Sequence, residues 1–407
     1  MKGIQKLISA ALLIIFCTST MAQDQGFIYG RVITEDGDEY EGPIRWGKEE
    51  VYWSDMFNAS KRENKNLDYL TDREIDELRD RSNNIVTKFV SISWEDDYKF
   101  VHEFATAFGN IRAIEVRSSD RIELELKNGQ YLDLDGSGYN DVGAKIRVID
   151  EEIGMIQLSW RNIERIEFMS TPRNLDEKFG KPLYGTVKCE LGEFTGYVQW
   201  DHDERLGSDK LDGDTRDGDV SISFDKIKTI EREGYSRSLV TLKSGRELEL
   251  RGSNDVNDEN RGIIVTVKGL GRVDIEWGDF DEVTFTEAPS SGGDYDSYGS
   301  PELIMGKVTV DNGDELVGEI IYDLDEEYDI EVLNGEDDDT KFIIPFANIK
   351  EIRPRSLDRS EIILNGGDKL VLEDTQDVGD DHTGILVKTK NERVYVPWDR
   401  VELVSLK

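Results

Sequence analysis

Cysteine is almost missing from this chain of 407 residues, which has only Cys17 and Cys189. Two cysteines, one of them in an amino-terminal apolar run, exclude a disulfide framework. Cys189 sits in the strand-like run Thr186-Val-Lys-Cys-Glu190, where a half-buried thiol is the expected state rather than a nucleophile. Histidine is scarce as well. His102, His202 and His382 occupy unrelated positions, so neither a histidine metal site nor a catalytic dyad is indicated. No serine nucleophile elbow, phosphate-cradling glycine loop, His-Glu-x-x-His or Cys-x-x-Cys motif occurs. Carboxylates are so frequent that a pair suited to glycoside hydrolysis carries no information by itself. Positive charge is in deficit: 50 Lys and Arg stand against 87 Asp and Glu, a net charge of -37. Such a surface repels phosphate backbones and anionic lipid, which argues against nucleic acid as a partner.

The one long apolar run lies at the start. Lys2 and Lys6 precede Leu7–Cys17, and Thr20-Met-Ala22 fits small-residue cleavage before Gln23. The run is too short to span a bilayer, so residues 1–22 are expected to be a signal peptide. This start resembles those of secreted Bacteroidota proteins. Phe16 stands where a lipidation signal requires a small residue, which argues against a lipid anchor at Cys17. The expectation is an exported protein, periplasmic, outer-envelope-associated or secreted, with no transmembrane segment after cleavage.

The rest of the chain repeats. Tyr29-Gly-Arg-Val, Tyr184-Gly-Thr-Val and Met305-Gly-Lys-Val open three passes. Each continues into Gly42-Pro-Ile-Arg-Trp46, Gly196-Tyr-Val-Gln-Trp200 or Gly318-Glu-Ile-Ile-Tyr322. Each pass also divides in two. The first halves close on Phe108-Gly-Asn-Ile, Phe224-Asp-Lys-Ile and Phe346-Ala-Asn-Ile; the second halves close on Trp160-Arg-Asn-Ile, Trp277-Gly-Asp-Phe and Trp398-Asp-Arg-Val. An alternating strand precedes each signature and another follows, so the three-residue spacing predicts one tight helical turn between two strands. Second halves open on hairpins centred at Asn128-Gly129, Ser244-Gly245 and Gly366-Gly367.

Five strands per half, with a single turn before the last, resemble the small barrels of the Src-homology-three and Sm class. That resemblance implies an architecture and no catalytic motif. The expected fold is all-β: three tandem repeats, each a pair of five-stranded small β-barrels, six in total, with one short helical insertion in the first. The boundaries read as unit 1 over 23–169, a linker over 170–182, unit 2 over 183–287, a flexible linker over 288–303 and unit 3 over 304–407. The insertion, Asn58 to Asn84, has no counterpart in the other units. It holds a capping box, Thr71-Asp-Arg-Glu74, with Ile75 and Leu78 on one helical face. A lid over a barrel end or a partner contact would account for it.

Acidic loops follow the second strand of two units. Asp201, Asp203 and Glu204 in unit 2, and Asp323, Asp325 and Glu326 in unit 3, put oxygen ligands close together, as a hard cation such as Ca²⁺ requires. The competing reading is solvated hairpin tips that keep sheet edges apart. A second polar motif, Asn140-Asp-Val142, Asn254-Asp-Val256 and Gln376-Asp-Val378, is read as an Asp that bonds backbone N–H groups and pins a turn. Phe108, Phe224, Phe346, Trp160, Trp277 and Trp398 are read as core plugs, whereas Trp53, Trp94, Tyr295 and Tyr298 lie outside the pattern and are candidates for surface recognition. The functional expectation is a non-enzymatic exported repeat protein acting as an envelope-associated binding or structural module toward a protein or envelope component. The alternatives are a Ca²⁺-dependent surface protein and, third, a glycan hydrolase.

Overall fold

Two glycines face each other in register near the start of every unit: Gly30 and Gly42, Gly185 and Gly196, Gly306 and Gly318. A β-carbon on Gly30 would collide with the carbonyl oxygen of Glu167, and one on Gly42 with that of Ile149. The same collisions recur in the other units, at Thr284 and Thr266 and at Ser405 and Lys388. The first hairpin can therefore fold tightly under its neighbouring strands only where both facing residues lack a side chain. This is the physical content of the repeated Gly signature.

The structure is a computed structural model and describes residues 24–76, 78, 102–136, 138–356 and 358–407. The expected leader, Cys17, Trp94 and the later part of the expected insertion lie outside the described residues.

The all-β class is what the structure has, and its sheets are antiparallel. Ten strands make up unit 2: Tyr184–Cys189, Gly192–Trp200, Lys210–Thr215, Gly218–Ser223, Ile227–Arg232, Arg237–Leu242, Glu247–Arg251, Ile263–Val267, Gly271–Ile275 and Phe280–Phe285. Unit 1 spans Tyr29–Thr34 to Ile163–Phe168 and unit 3 spans Met305–Val310 to Val401–Leu406. Single 3-10 turns precede the fifth or tenth strand at Phe108–Asn110, Trp160–Asn162, Phe224–Lys226, Phe346–Asn348 and Trp398–Arg400, where the sequence placed them. The hairpins around Asn128-Gly129, Ser244-Gly245 and Gly366-Gly367 also form as expected.

The partition into one barrel per consecutive half is replaced by an exchange. Counting strands within a unit, the order across the sheet is 4-3-7-6-5-10-1-2-8-9. The first two strands of each half pair with strands from the other half. The first strand lies against the tenth in all three units (Gly30 with Phe168, Gly185 with Phe285, Gly306 with Leu406). The second strand pairs with the eighth. Each five-stranded set thus takes two strands from one half and three from the other. The sets meet where the fifth and tenth strands pair. Alternation says which face of a strand is buried and leaves open which strand lies beside it, so the exchange was not legible.

The core follows the repeat. Trp46, Trp200 and Tyr322 are fully buried at the centre of their units, ringed by Phe108 and Trp160, Phe224 and Trp277, or Phe346 and Trp398. The six closing aromatics are core plugs, as expected. Cys189 is buried, and burial raises its thiol pKa.

The three units touch pairwise. Units 2 and 3 join by strand pairing, with Gly271–Ile275 against Thr340–Pro345. Units 1 and 2 share a small apolar cluster of Phe27, Val51, Tyr52 and Leu206. Units 1 and 3 share two: Met56, Ala105 and Val332, and Leu70, Leu78, Ile321, Leu324 and Leu386. The second cluster belongs to the insertion. Asn58 to Lys61 are part of the third strand, Met56–Lys61, whose counterparts are Lys210–Thr215 and Val332–Asp337, so the departure from the repeat begins at Arg62 rather than Asn58. It stands where the other units have a tight turn between third and fourth strands. The capping box forms, with Thr71 N donating to Glu74 Oε2 at 2.7 Å and Glu74 N to Thr71 Oγ1 at 3.4 Å. Leu70 and Leu78 then dock on unit 3, which makes this element a clasp between units.

The stretch 288–303 contacts unit 1 through Tyr295 and Tyr298. Tyr295, 8% exposed, packs at a tilt against Trp53 with ring centroids 4.5 Å apart and donates from its hydroxyl to Ile111 O at 2.8 Å. Lys127 Nζ bonds both Tyr295 O and Tyr298 O. Trp53 and Tyr295 are buried and Tyr298 is half-buried, so the expectation of surface recognition for these three is corrected. A tyrosine in a Ser/Gly-rich stretch reads as exposed because nothing in its neighbourhood announces the distant tryptophan it covers.

Candidate functional site

The acidic loops are built by a left-handed turn. Asp201 and His202 have φ of +48° and +58°, and Asp323 and Leu324 have +49° and +58°. Trp200 O accepts from Asp203 N at 3.0 Å and Glu204 N at 2.9 Å, and Tyr322 O does the same for Asp325 and Glu326, each at 2.9 Å. Asp tolerates this conformation better than most residues because its short side chain bonds locally. Gly47 takes the same position in unit 1 with φ of +58°. The alternating acids are thus partly a backbone requirement.

Asp201, Asp323, Asp325 and Glu326 are buried and Asp203 and Glu204 are partly buried, which departs from the reading of these loops as solvated tips. Asp201, 1% exposed, accepts from Arg261 N at 2.7 Å, from its guanidinium, and from Asn254 Nδ2. Asp323 accepts from Gln376 Nε2 at 2.6 Å, Thr383 Oγ1 at 2.8 Å and Thr383 N. Asp203 faces Arg261 at 2.8 Å and Lys48 of unit 1 at 3.3 Å. Asp325 faces Lys61 of unit 1 at 3.2 Å. His202 is paired with Asp274 at 2.9 Å. His382 is stacked on Trp398 at 3.9 Å, and burial holds its pKa well below the usual value.

The Asp of the second polar motif does bond a backbone N–H, though on a different strand from the turn foreseen. Asp141 accepts from Asn58 N at 2.7 Å, Asp255 from Asp212 N at 2.6 Å and Asp377 from Asn334 N at 2.6 Å. Each pins the third strand, which belongs to the other half of its unit. The carbonyl of the same residue accepts from the central aromatic: Trp46 Nε1 and Trp200 Nε1 at 2.9 Å, Tyr322 hydroxyl at 2.7 Å.

Beside this Asp stands a Glu in every unit, and Glu50 Oε2, Glu204 Oε2 and Glu326 Oε2 are buried with no hydrogen-bond partner among the described residues. Burial, reinforced by Asp255, Asp203 and Asp201, pushes Glu204 up to about 9. Burial raises Asp141 and Asp377 to about 7 and Asp255 to about 6, each against the pull of its backbone bond. Glu50 and Glu326 are pushed well above the carboxylate range by burial and by Asp141 or Asp377. Among the described residues, the carboxylate oxygens of Asp201, Glu204 and Asp255 come within 4.8 Å of one another, the spacing a bound cation would need. Of the six expected ligands the structure brings together Asp201 and Glu204, joins to them Asp255, and turns Asp203 away to Arg261. In unit 3, Asp323, Asp325 and Glu326 are all buried, with Asp325 committed to Lys61.

Sequence reasoning missed the residues that lock the units. The fifth residue after each of these Glu is acidic: Asp55, Asp209 and Glu331. One oxygen caps the loop's own backbone. Asp55 Oδ2 accepts from Val51 N and Tyr52 N, Asp209 Oδ2 from Arg205 N and Leu206 N, and Glu331 Oε2 from Glu327 N and Tyr328 N, all between 2.7 and 3.0 Å. Each acid also receives a cation from another unit: Asp55 from Arg205, at 3.0 Å from Nε and Nη2; Asp209 from Arg45, at 3.0 Å from both terminal nitrogens; Glu331 from Lys61. Burial opposes the charge on Lys61, but Asp325, Glu331 and Glu326 outweigh it, so its pKa is raised. Arg205 is 1% exposed and also donates to Val198 O at 3.1 Å. The recurring acid was visible in the repeat; its partners were not, because Arg45, Lys61 and Arg205 stand at different positions of their units.

No protein family, curated protein or solved structure matches this chain.

Proposed function

We propose that the protein is a non-enzymatic binding or structural module, exported to the cell envelope, in which three β units act as one locked body. One observation carries the reading: in all three units Asp55, Asp209 and Glu331 cap their own loops, Asp141, Asp255 and Asp377 pin the third strand, and the closing aromatics fill the core. Residues spent in this way do not form a reacting constellation. A screen of the purified protein against glycans and model esters and peptides is expected to give no turnover above background; reproducible hydrolysis abolished by one carboxylate substitution would reverse the reading. Cell fractionation with amino-terminal sequencing tests export, with a mature start at Gln23 expected.

A second reading is favoured by the approach of Asp201, Glu204 and Asp255: a Ca²⁺ ion at unit 2 that stabilises the fold. Ligand at about 100 times its Kd would stabilise the protein by about 2.7 kcal/mol. A Tm rise in Ca²⁺ beyond that in Mg²⁺ at equal ionic strength, lost in Glu204→Gln, would support it. Equal small rises in both ions would mean charge screening.

A further inference from the structure

Each unit offers two sheet edges, the outer sides of its fourth and ninth strands. The chain disposes of most of them itself. The ninth strand of unit 2, Gly271–Ile275, pairs with the fourth strand of unit 3, Thr340–Pro345, with Arg272 opposite Ile343, Val273 opposite Phe342 and Asp274 opposite Lys341. The fourth strand of unit 1, His102–Ala107, is covered by unit 3: Ala105 and Thr106 are buried, and Thr106 Oγ1 donates to Ile330 O at 3.1 Å. The ninth strand of unit 3, Arg393–Val396, lies beside the insertion, with Arg393 stacked on Tyr69 at 3.7 Å and Tyr395 packed against the cluster containing Leu70 and Leu78.

One edge of each kind is left. Among the described residues nothing pairs with the outer side of Gly154–Leu158, the ninth strand of unit 1, or of Gly218–Ser223, the fourth strand of unit 2. Two of the most exposed apolar side chains among the described residues lie at the first of these, Ile153 at 60% just before the strand and Met155 at 66% within it. These are the two edge types that join units 2 and 3. Unpaired backbone donors and acceptors on a strand edge are a template for another strand.

We propose that Gly154–Leu158 of one copy pairs antiparallel with Gly218–Ser223 of a second copy of this chain, in the register that joins units 2 and 3. Aligning the strands on their closing aromatics sets Met155 opposite Ser221, Ile156 opposite Val220 and Gln157 opposite Asp219. No like charges meet, and Ile156 and Val220 continue the apolar layer that Val273 and Phe342 form at the internal joint. The two surfaces differ, so the contact is heterologous: two copies can exchange both contacts around a two-fold axis, or copies can follow one another in a row. The pairing extends the structural-module reading, and a strictly monomeric protein would overturn the pairing without touching that reading.

Charge at one position reads the register. Gln157 stands where the internal joint has Asp274, and its partner Asp219 stands where that joint has Lys341. Gln157→Lys restores an opposite-charge pair and Gln157→Asp sets two carboxylates face to face. Sedimentation velocity of the purified protein is expected to show assembly, promoted in Gln157→Lys and shifted toward monomer in Gln157→Asp, with circular dichroism unchanged. In a Cys189→Ser background, mixing Met155→Cys with Ser221→Cys is expected to give an intermolecular disulfide faster than mixing Met155→Cys with Asp219→Cys. A monomer at all concentrations, or an assembly indifferent to both the charge and the cysteine register, would sink the proposal.

Discussion

Arg205 is the residue on which the contact between units 1 and 2 turns. Its guanidinium is buried, bonded to Asp55 and Val198 O, and stacked at 5.1 Å over Tyr52. Removing one member of a buried ion pair leaves the other uncompensated. Arg205→Met is expected to cost about 3–5 kcal/mol in chemical denaturation. Pairing it with Asp55→Asn, which still caps the Val51 and Tyr52 amides, should recover a large part. If the double variant is no more stable than the single, the loss is one of packing. At Tyr295 the hydroxyl and the ring can be separated. Tyr295→Phe loses one bond to Ile111 O and should cost about 1 kcal/mol. Tyr295→Ala uncovers Trp53 and should cost about 3 kcal/mol or more. Both are measured by the same denaturation curves.

The elements were legible where local rules govern them. The hairpins follow from alternation on either side of a glycine, and Gly129, Gly245 and Gly367 do adopt positive φ. The closing turns follow from aromatic residues three places ahead of an apolar one. What escaped was partnership. Asp141 is recognisable as a residue that bonds backbone amides, yet nothing near it reveals that the amide belongs to Asn58. The insertion was visible as a break in the repeat and as a capping box, while its docking site on Ile321, Leu324 and Leu386 is remote in sequence. Leu70→Ala should cost about 2 kcal/mol. Under limited proteolysis, the stretch after Arg62 should then be cut sooner than in the parent while the three units stay together. Unchanged cleavage kinetics would show that the clasp is held elsewhere.

For the whole molecule the acid excess and the buried carboxyls act in one direction. Burial raises Asp141 to about 7, against about 3.9 for an ordinary Asp. Between those values the folded protein holds a proton that the unfolded chain has lost. This contribution is fully present below about pH 4 and disappears as the pH rises through about 7. Tm is therefore expected to fall from mildly acidic to neutral pH. Self-repulsion of the net charge of -37 adds to that slope. Asp141→Asn, in which the amide oxygen can still accept from Asn58 N, should flatten the profile, and Glu50→Gln should flatten it further. A slope unaltered in both variants would assign the pH dependence to overall charge alone.

The exchange of strands between halves has a consequence in time. The first strand of every unit finds its neighbour in the last strand of that unit: Gly30 must wait for Phe168, Gly185 for Phe285 and Gly306 for Leu406. The opening hairpin emerges long before the strand that seals it, so no unit can be completed before its own tenth strand arrives. Pairing between strands so far apart in sequence slows the folding of each unit, because the long loop must close before the contact rewards it. A chain cut between halves would carry an unsealed hairpin, and the nearest remedy would be the matching hairpin of another broken molecule.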